Sequence, residues 1–169
     1  KLQELLSKKE AALVLALPSL MASHNANPEK PNVTYYEGKE QIISIYDDIL
    51  KSGEVRFFGS IQEIVKNLPA YFNRFNSEAE KRGLKIKEMV GSAAEDLAFA
   101  RSRKRGPLHL IRALPPSSNF SFKTDHAIWN DKIAIFSYQL MFGVVIQAVD
   151  VAESYRALFE LAWESAKKI

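Results

Sequence analysis

The chain has 169 residues, 47% of them hydrophobic and 25% charged, with 23 Lys+Arg against 20 Asp+Glu and no cysteine. These proportions exclude an acidic disordered chain, a collagen-like repeat and a disulfide-rich secreted scaffold. Without cysteine there is no thiolate metal site, thiol nucleophile or redox switch, and a net charge of +3 is too small for a chain that grips nucleic acid by itself.

No apolar run reaches the ~18–20 residues needed to span a bilayer, so the chain reads as soluble and cytoplasmic, with no membrane partner. It begins at Lys1, already inside a helical pattern, and is expected to be a piece of a longer protein. In that first segment Leu6, Leu13 and Leu20 recur at heptad spacing, with Leu2, Leu5 and Leu17 near the same face. The helix they define either packs on its own domain or pairs with a second subunit, through Leu2, Leu6, Leu13, Leu17 and Leu20. Pro18 kinks it, and Asn25, Asn27, Pro28 and Pro31 make the following stretch a linker. The division expected is therefore a dimerisation helix and loop over 1–31 and a regulatory domain over 32–169.

Beyond the linker, β-branched and aromatic residues over 33–36 predict a strand, and Ile42, Ile45, Tyr46, Ile49 and Leu50 predict a helix over 39–51. A strand over 54–59, a helix over 61–82 broken near Pro69 and capped by Gly83, a strand over 84–90 and a helix over 93–104 follow. Such alternation argues for right-handed crossovers and a mainly parallel sheet with helices on its faces. The last third differs. Apolar runs at 108–113, 120–123, 126–129, 132–138 and 143–147 read as short strands, with Asn130-Asp131 as a hairpin turn. A closing helix over 149–168 has Asp150 as N-cap, lysines suited to the negative end of its dipole, and an apolar face of Ala152, Tyr155, Leu158, Phe159, Ala162, Trp163 and Ala166.

Chemistry-bearing motifs are sparse. His24, His109 and His126 lack metal-ligand spacing, and there is no dinucleotide signature, phosphate loop or nucleophile elbow. No cofactor and no metal are expected. Asp47-Asp48 and Glu95-Asp96 read as solvated charge on helix surfaces, and the run Arg101, Arg103, Lys104, Arg105 as a solvated helix end or a phosphate clamp. Ser60 and Ser92 follow parallel strands at the sheet edge where ligands bind, either as ordinary turn residues or beside amides that meet an anion.

Val33-Thr34-Tyr35-Tyr36-Glu37-Gly38-Lys39-Glu40 and Ile45-Tyr46-Asp47-Asp48-Ile49-Leu50 resemble the opening of the effector domain of TrmB-like transcriptional regulators. Trp129-Asn130-Asp131-Lys132-Ile133-Ala134-Ile135, then Val144-Val145-Ile146, and the terminal run from Ala152 to Glu164 resemble its far end, so the likeness covers about residues 30 to 167. The resemblance implies an α/β, phospholipase D-like mixed sheet, with parallel βαβ units first, antiparallel strands later and helices on both faces. It also implies a homodimer, DNA contact through a winged helix outside this chain, and a small-molecule effector such as a sugar or phosphorylated metabolite.

Phospholipase D-like enzymes carry a His-x-Lys-x4-Asp motif whose His attacks a phosphodiester. The alignment requires His, Lys and Asp at positions 123, 125 and 130, where this chain has Lys123, Asp125 and Asn130. His126 does not restore the motif, because Ile128 stands where its Lys is needed. The expectation is thus a regulatory domain without catalysis, its ligand site at Ser60, Ser92, Lys123, Asp125 and Asn130. Two alternatives stand beside it: a phosphodiesterase or nuclease rearranged around His109 or His126, and a dimerisation module with no ligand.

Overall fold

The computed structural model describes residues 31–103, 105–115 and 122–169. Leu2, Leu6, Leu13, Leu17 and Leu20 lie outside these described residues. Contacts divide the chain between Pro31 and Asn32, and all elements below belong to the unit Asn32–Ile169. In chain order they are β1 (Asn32–Glu37), α1 (Lys39–Ile49), β2 (Glu54–Gly59), α2 (Ile61–Asn67), α3 (Pro69–Lys81), β3 (Lys85–Val90) and α4 (Ala94–Ser102). Then follow β4 (His109–Ala113), β5 (Asp125–Trp129), β6 (Lys132–Ser137), β7 (Phe142–Gln147), α5 (Val149–Ser165) and β8 (Lys167–Lys168).

Eight strands form one sheet in the order β1-β7-β6-β5-β2-β3-β4-β8. Only β2, β3 and β4 pair in parallel; all other pairings are antiparallel. The expected mixed sheet is therefore present, with one departure in its first unit. β1 runs in the same sense as β2, but three later strands lie between them and β1 pairs antiparallel with β7. Local alternation of strand and helix predicts a crossover; it carries no information on how many strands are later inserted beneath it.

Each helix buries the face its spacing dictates. α1 turns Ile42, Ile45, Tyr46 and Ile49 inward, and α3 turns Tyr71, Phe75 and Ala79 inward. Pro69 occupies the first turn of α3, where its missing N–H costs nothing, and so marks a new helix. These side chains meet Val55, Phe57, Ile86, Ala127, Trp129 and Phe136 in the larger core, each buried aliphatic or aromatic group contributing about 1.5–3 kcal/mol before entropy. The opposite sheet face carries a second core, in which Ala152, Phe159 and Trp163 of α5 cover Met89, Ile128 and Ile133. Glu160 of the same helix accepts from Arg56 Nε at 2.7 Å and from Lys87 Nζ at 2.8 Å.

Several local expectations are corrected. Lys167 and Lys168 leave the helix to pair as β8 with β4, and Arg112 donates instead to the Trp163 carbonyl at 2.7 Å while its guanidinium stacks 4.7 Å above that ring. The α5 N-cap is Ala148, and Asp150 sits within the first turn. Leu158 is 63% exposed, off the buried stripe. Phe122 and Lys123 are not in a strand; the rest of that run lies outside the described residues. Asp96 is buried and accepts from Gln62 Nε2 at 3.1 Å, and Asp48 accepts from Trp129 Nε1 and Lys132 Nζ at 3.1 and 2.8 Å. Arg103 is not a solvated helix end: its guanidinium lies 4.5 Å over the Phe72 ring and 3.7 Å from Glu88.

The register of α5 has a direct check. Trp163→Ala empties a buried ring from the second core and costs about 3–5 kcal/mol, whereas Leu158→Ala on the same helix stays within about 0.5 kcal/mol. Urea denaturation of the two variants reads the difference.

Candidate functional site

The parallel strands β2 and β3 end together at Gly59 and Val90, and antiparallel β5 begins there at Asp125. Backbone approach at this seam is tight. A Cβ on Gly59 would lie 2.6 Å from Asp125 Cα and would collide with Asp125 Oδ1, so only glycine fits.

Asp125 shares the inward face of Ala127 and Trp129, and the bare Gly59 leaves its carboxyl room there. Its Oδ2 accepts from Tyr138 Oη at 3.0 Å and Tyr46 Oη at 3.3 Å, the two phenol oxygens touch each other, and Oδ1 accepts from the His126 N–H at 3.0 Å. Burial is the main force on this carboxyl and the Glu88 charge adds to it; together they overcome the hydroxyl donors and push Asp125 up to about 7. The same burial, together with the Asp125 charge, raises both phenols.

Glu88, on the same sheet face, has the opposite balance. Burial would raise its carboxyl, but a 2.6 Å hydrogen bond with His109 Nε2 and the charges of His109, Arg103 and Arg105 outweigh it and lower it. A small void of about 30 Å³ is shared by Asp125, Glu88, His109, Arg103 and Tyr46, among others.

In front of Asp125 opens a cavity of about 520 Å³. Ser60 and Gln62 at the start of α2, Lys66 one turn on, Glu95 and Asp96 in the first turn of α4, and Lys123 and Tyr138 all line it. With Glu63 included, three carboxylates face two lysines, alongside Gln62, Asn67, Gln139 and the Phe122 ring. The chemistry is hydrogen-bonding and mixed in charge; it lacks the cationic excess a phosphodiester requires. Among the described residues no cluster of His, Asp and Glu could hold a metal ion.

Of the residues expected from sequence, Ser60 and Lys123 line this cavity, and Asp125 stands behind it, bonded to its wall residue Tyr138. Ser92 is buried just beyond the end of β3. Asn130 is at the other end of β5, in the β5–β6 turn with φ 45°, where its carbonyl accepts from Arg156 at 2.6 Å. Ser60 occupies the N-cap of α2 but its side chain makes no capping bond. Sequence reasoning missed Tyr46 and Tyr138, whose places in apolar runs mark them as core, and the amides and carboxylates of α2 and α4.

Neither described histidine lines the cavity. His109 is held by Glu88, and His126 points to the α5 face, stacked 4.3 Å from Phe58, where burial lowers its affinity for a proton.

No protein-family model and no curated protein sequence matches the chain. Solved structures do. One is TrmBL2, described as an archaeal chromatin protein with a novel mode of DNA binding: TM-score 0.55, 19% identity, covering 99% of this chain and 65% of that one. Another is Nuc from Salmonella typhimurium, a phospholipase D family member: TM-score 0.57, 16% identity, 83% of this chain and 99% of that one. NucT from Helicobacter pylori gives TM-score 0.58 at 11% identity over 83% of this chain and the whole of that one. The fold is phospholipase D-like, as the resemblance read from the sequence implies, and TrmBL2 shares it with this chain.

The raised Asp125 carboxyl makes stability depend on pH with a definite sign. Aspartate titrates near 3.8 when unperturbed and near 7 in this fold, so between those values the folded chain holds the extra proton. Stability contributed here is full below the lower value and falls as pH rises through the upper one. Urea unfolding near pH 5 and near pH 8 should show the native chain losing on the order of 2–3 kcal/mol relative to Asp125→Asn over that interval. Glu88 acts in the opposite direction but is common to both proteins.

Proposed function

We propose that this chain is a non-catalytic regulatory domain of a DNA-binding transcriptional regulator of the TrmB-like kind, which dimerises, senses a small molecule at the strand-end cavity, or both. The carrying observation is at the start of β5. Where a phospholipase D-like enzyme needs a nucleophilic His and its Lys, this chain has Lys123 and the buried carboxyl of Asp125. An acid in place of a cation opposes binding of a phosphodiester, and neither described His faces the cavity to attack one.

DNA contact enters this reading from TrmBL2, of whose chain this one spans 65%. A winged helix outside residues 1–169 would supply it, in the cytoplasm of the cell. Among the described residues no helix is long and apolar enough to cross a membrane. The amides, carboxylates and aromatic ring of the cavity suit a polar effector such as a sugar or phosphorylated metabolite, sugars above all, because the lysines are outnumbered by carboxylates.

The purified chain should leave bis-p-nitrophenyl phosphate and plasmid DNA uncleaved, while a thermal-shift screen of sugars, nucleotides and phosphorylated metabolites finds a ligand whose effect is lost in Lys123→Ala. Phosphodiester turnover abolished by His126→Ala would overturn the reading in favour of a rearranged enzyme. Light scattering should give a dimer; a strict monomer together with a silent screen would leave regulation unsupported.

A further inference from the structure

Tyr138 to Met141 join Ser137 of β6 to Phe142 of β7. Leu140 is 72% exposed, and Met141 is held at φ 52°, a left-handed conformation that such a side chain adopts only where its surroundings impose it. Tyr138 and Gln139 line the strand-end cavity. Three hydrogen bonds tie the segment down. Tyr138 Oη donates to Asp125 Oδ2 at 3.0 Å, the Gly38 N–H to the Met141 carbonyl at 2.8 Å, and the Leu140 N–H to Ser137 Oγ at 3.3 Å.

The first of these ties depends on a proton. Asp125 Oδ2, Tyr46 Oη and Tyr138 Oη form a triangle in which each oxygen reaches the other two. With the carboxyl protonated, three protons serve three oxygens, and each oxygen donates once and accepts once. With it ionised, two protons remain: both phenols turn to Oδ2, and their own oxygens are left in contact with no proton between them. None of the hydrogen-bond partners of Asp125 is a cation. Its Oδ1 takes the His126 N–H, Glu88 adds a like charge across the small void, and His109 and Arg103 on that void are engaged with Glu88. Lys123, two residues away, lines the cavity. We propose that Tyr138–Met141 is a strap over the strand-end cavity, held closed by the proton on Asp125 and released when that proton is lost. Water entering through the cavity then solvates the carboxylate. The strap is a property of the fold and stands whether or not the cavity takes an effector.

Asp125 titrates near 7 in the closed fold and near 3.8 when unperturbed, so opening should rise about tenfold per pH unit between these values and level off above the upper one. Amide hydrogen exchange of the purified chain, followed by NMR from pH 5 to pH 8 and corrected for intrinsic rates, tests this. Gly38 and Leu140 report the strap. Ile86 and Leu114, which donate to the carbonyls of Leu108 and Val90, report opening of the parallel half of the sheet. Gly38 and Leu140 should open more often than Ile86 and Leu114 at every pH, and on the order of a hundredfold more often at pH 7 than at pH 5. Asp125→Asn, which keeps an oxygen to accept from Tyr138 but cannot ionise, should flatten that dependence while Glu88, His109, Arg103 and Lys123 titrate as before. Tyr138→Phe should raise opening at pH 5 roughly fivefold, whereas Tyr71→Phe, whose hydroxyl bonds Asp47 instead, should leave it unchanged. Strap amides that exchange only as fast as Ile86 and Leu114 overturn the proposal. So does strap opening that is independent of pH, or a pH dependence that survives Asp125→Asn.

Discussion

The contact between Gly59 and Asp125 is where the two halves of the sheet are joined. On one side lie the parallel strands β2, β3 and β4; on the other the antiparallel run β5, β6, β7 and β1. The missing side chain at position 59 leaves room for the Asp125 carboxyl, which strand alternation puts on the same inward face as Ala127 and Trp129. A bare carboxylate there would cost several kcal/mol, which is why two phenols and a backbone amide converge on it. The positions of Tyr46 on α1 and Tyr138 beyond β6 follow from that demand, and so does the wall of the cavity in front of them.

Charge on the same sheet face is distributed in two settings. Glu88 has His109 and two arginines and stays ionised; Asp125 has hydroxyls and stays near its titration point. Two acids of similar burial therefore behave differently because of what surrounds each. The inward turn of Arg103 and Arg105 serves the first of them and leaves the solvent with less positive charge than the sequence run suggests.

Much of the architecture was legible from spacing. α1 and α3 declare themselves through Ile42, Ile45, Tyr46, Ile49 and through Tyr71, Phe75, Ala79, and Asn130 marks the β5–β6 turn because a short polar side chain tolerates its positive φ. Pairing partners were not legible. Nothing in Val33 to Tyr36 says that β7 will be its neighbour, since strand order depends on contacts between distant segments. The candidate site was half legible. Ser60 and Lys123 come from strand-end logic, whereas Asn130, one strand length from Asp125, shows that positions close in a motif need not share an end of the sheet. Tyr46 and Tyr138 escaped notice because periodicity reports which side chains point inward and is silent on what their oxygens do there.

The separation of β1 from β2 also sets an order in time. Asn32 to Glu37 pairs with Gln147 to Phe142, so a chain leaving the ribosome carries its first strand unpartnered until most of the domain has been made. During that interval Val33 and Tyr35, exposed even in the finished sheet, lie on a strand with both backbone edges open. The parallel β2–β3–β4 block, formed from neighbouring segments, is complete far sooner and can act as the platform on which the hairpins β5–β6 and β6–β7 arrive. Closure of the domain is then a late event, made by the strand that precedes the rest of this sheet in the chain.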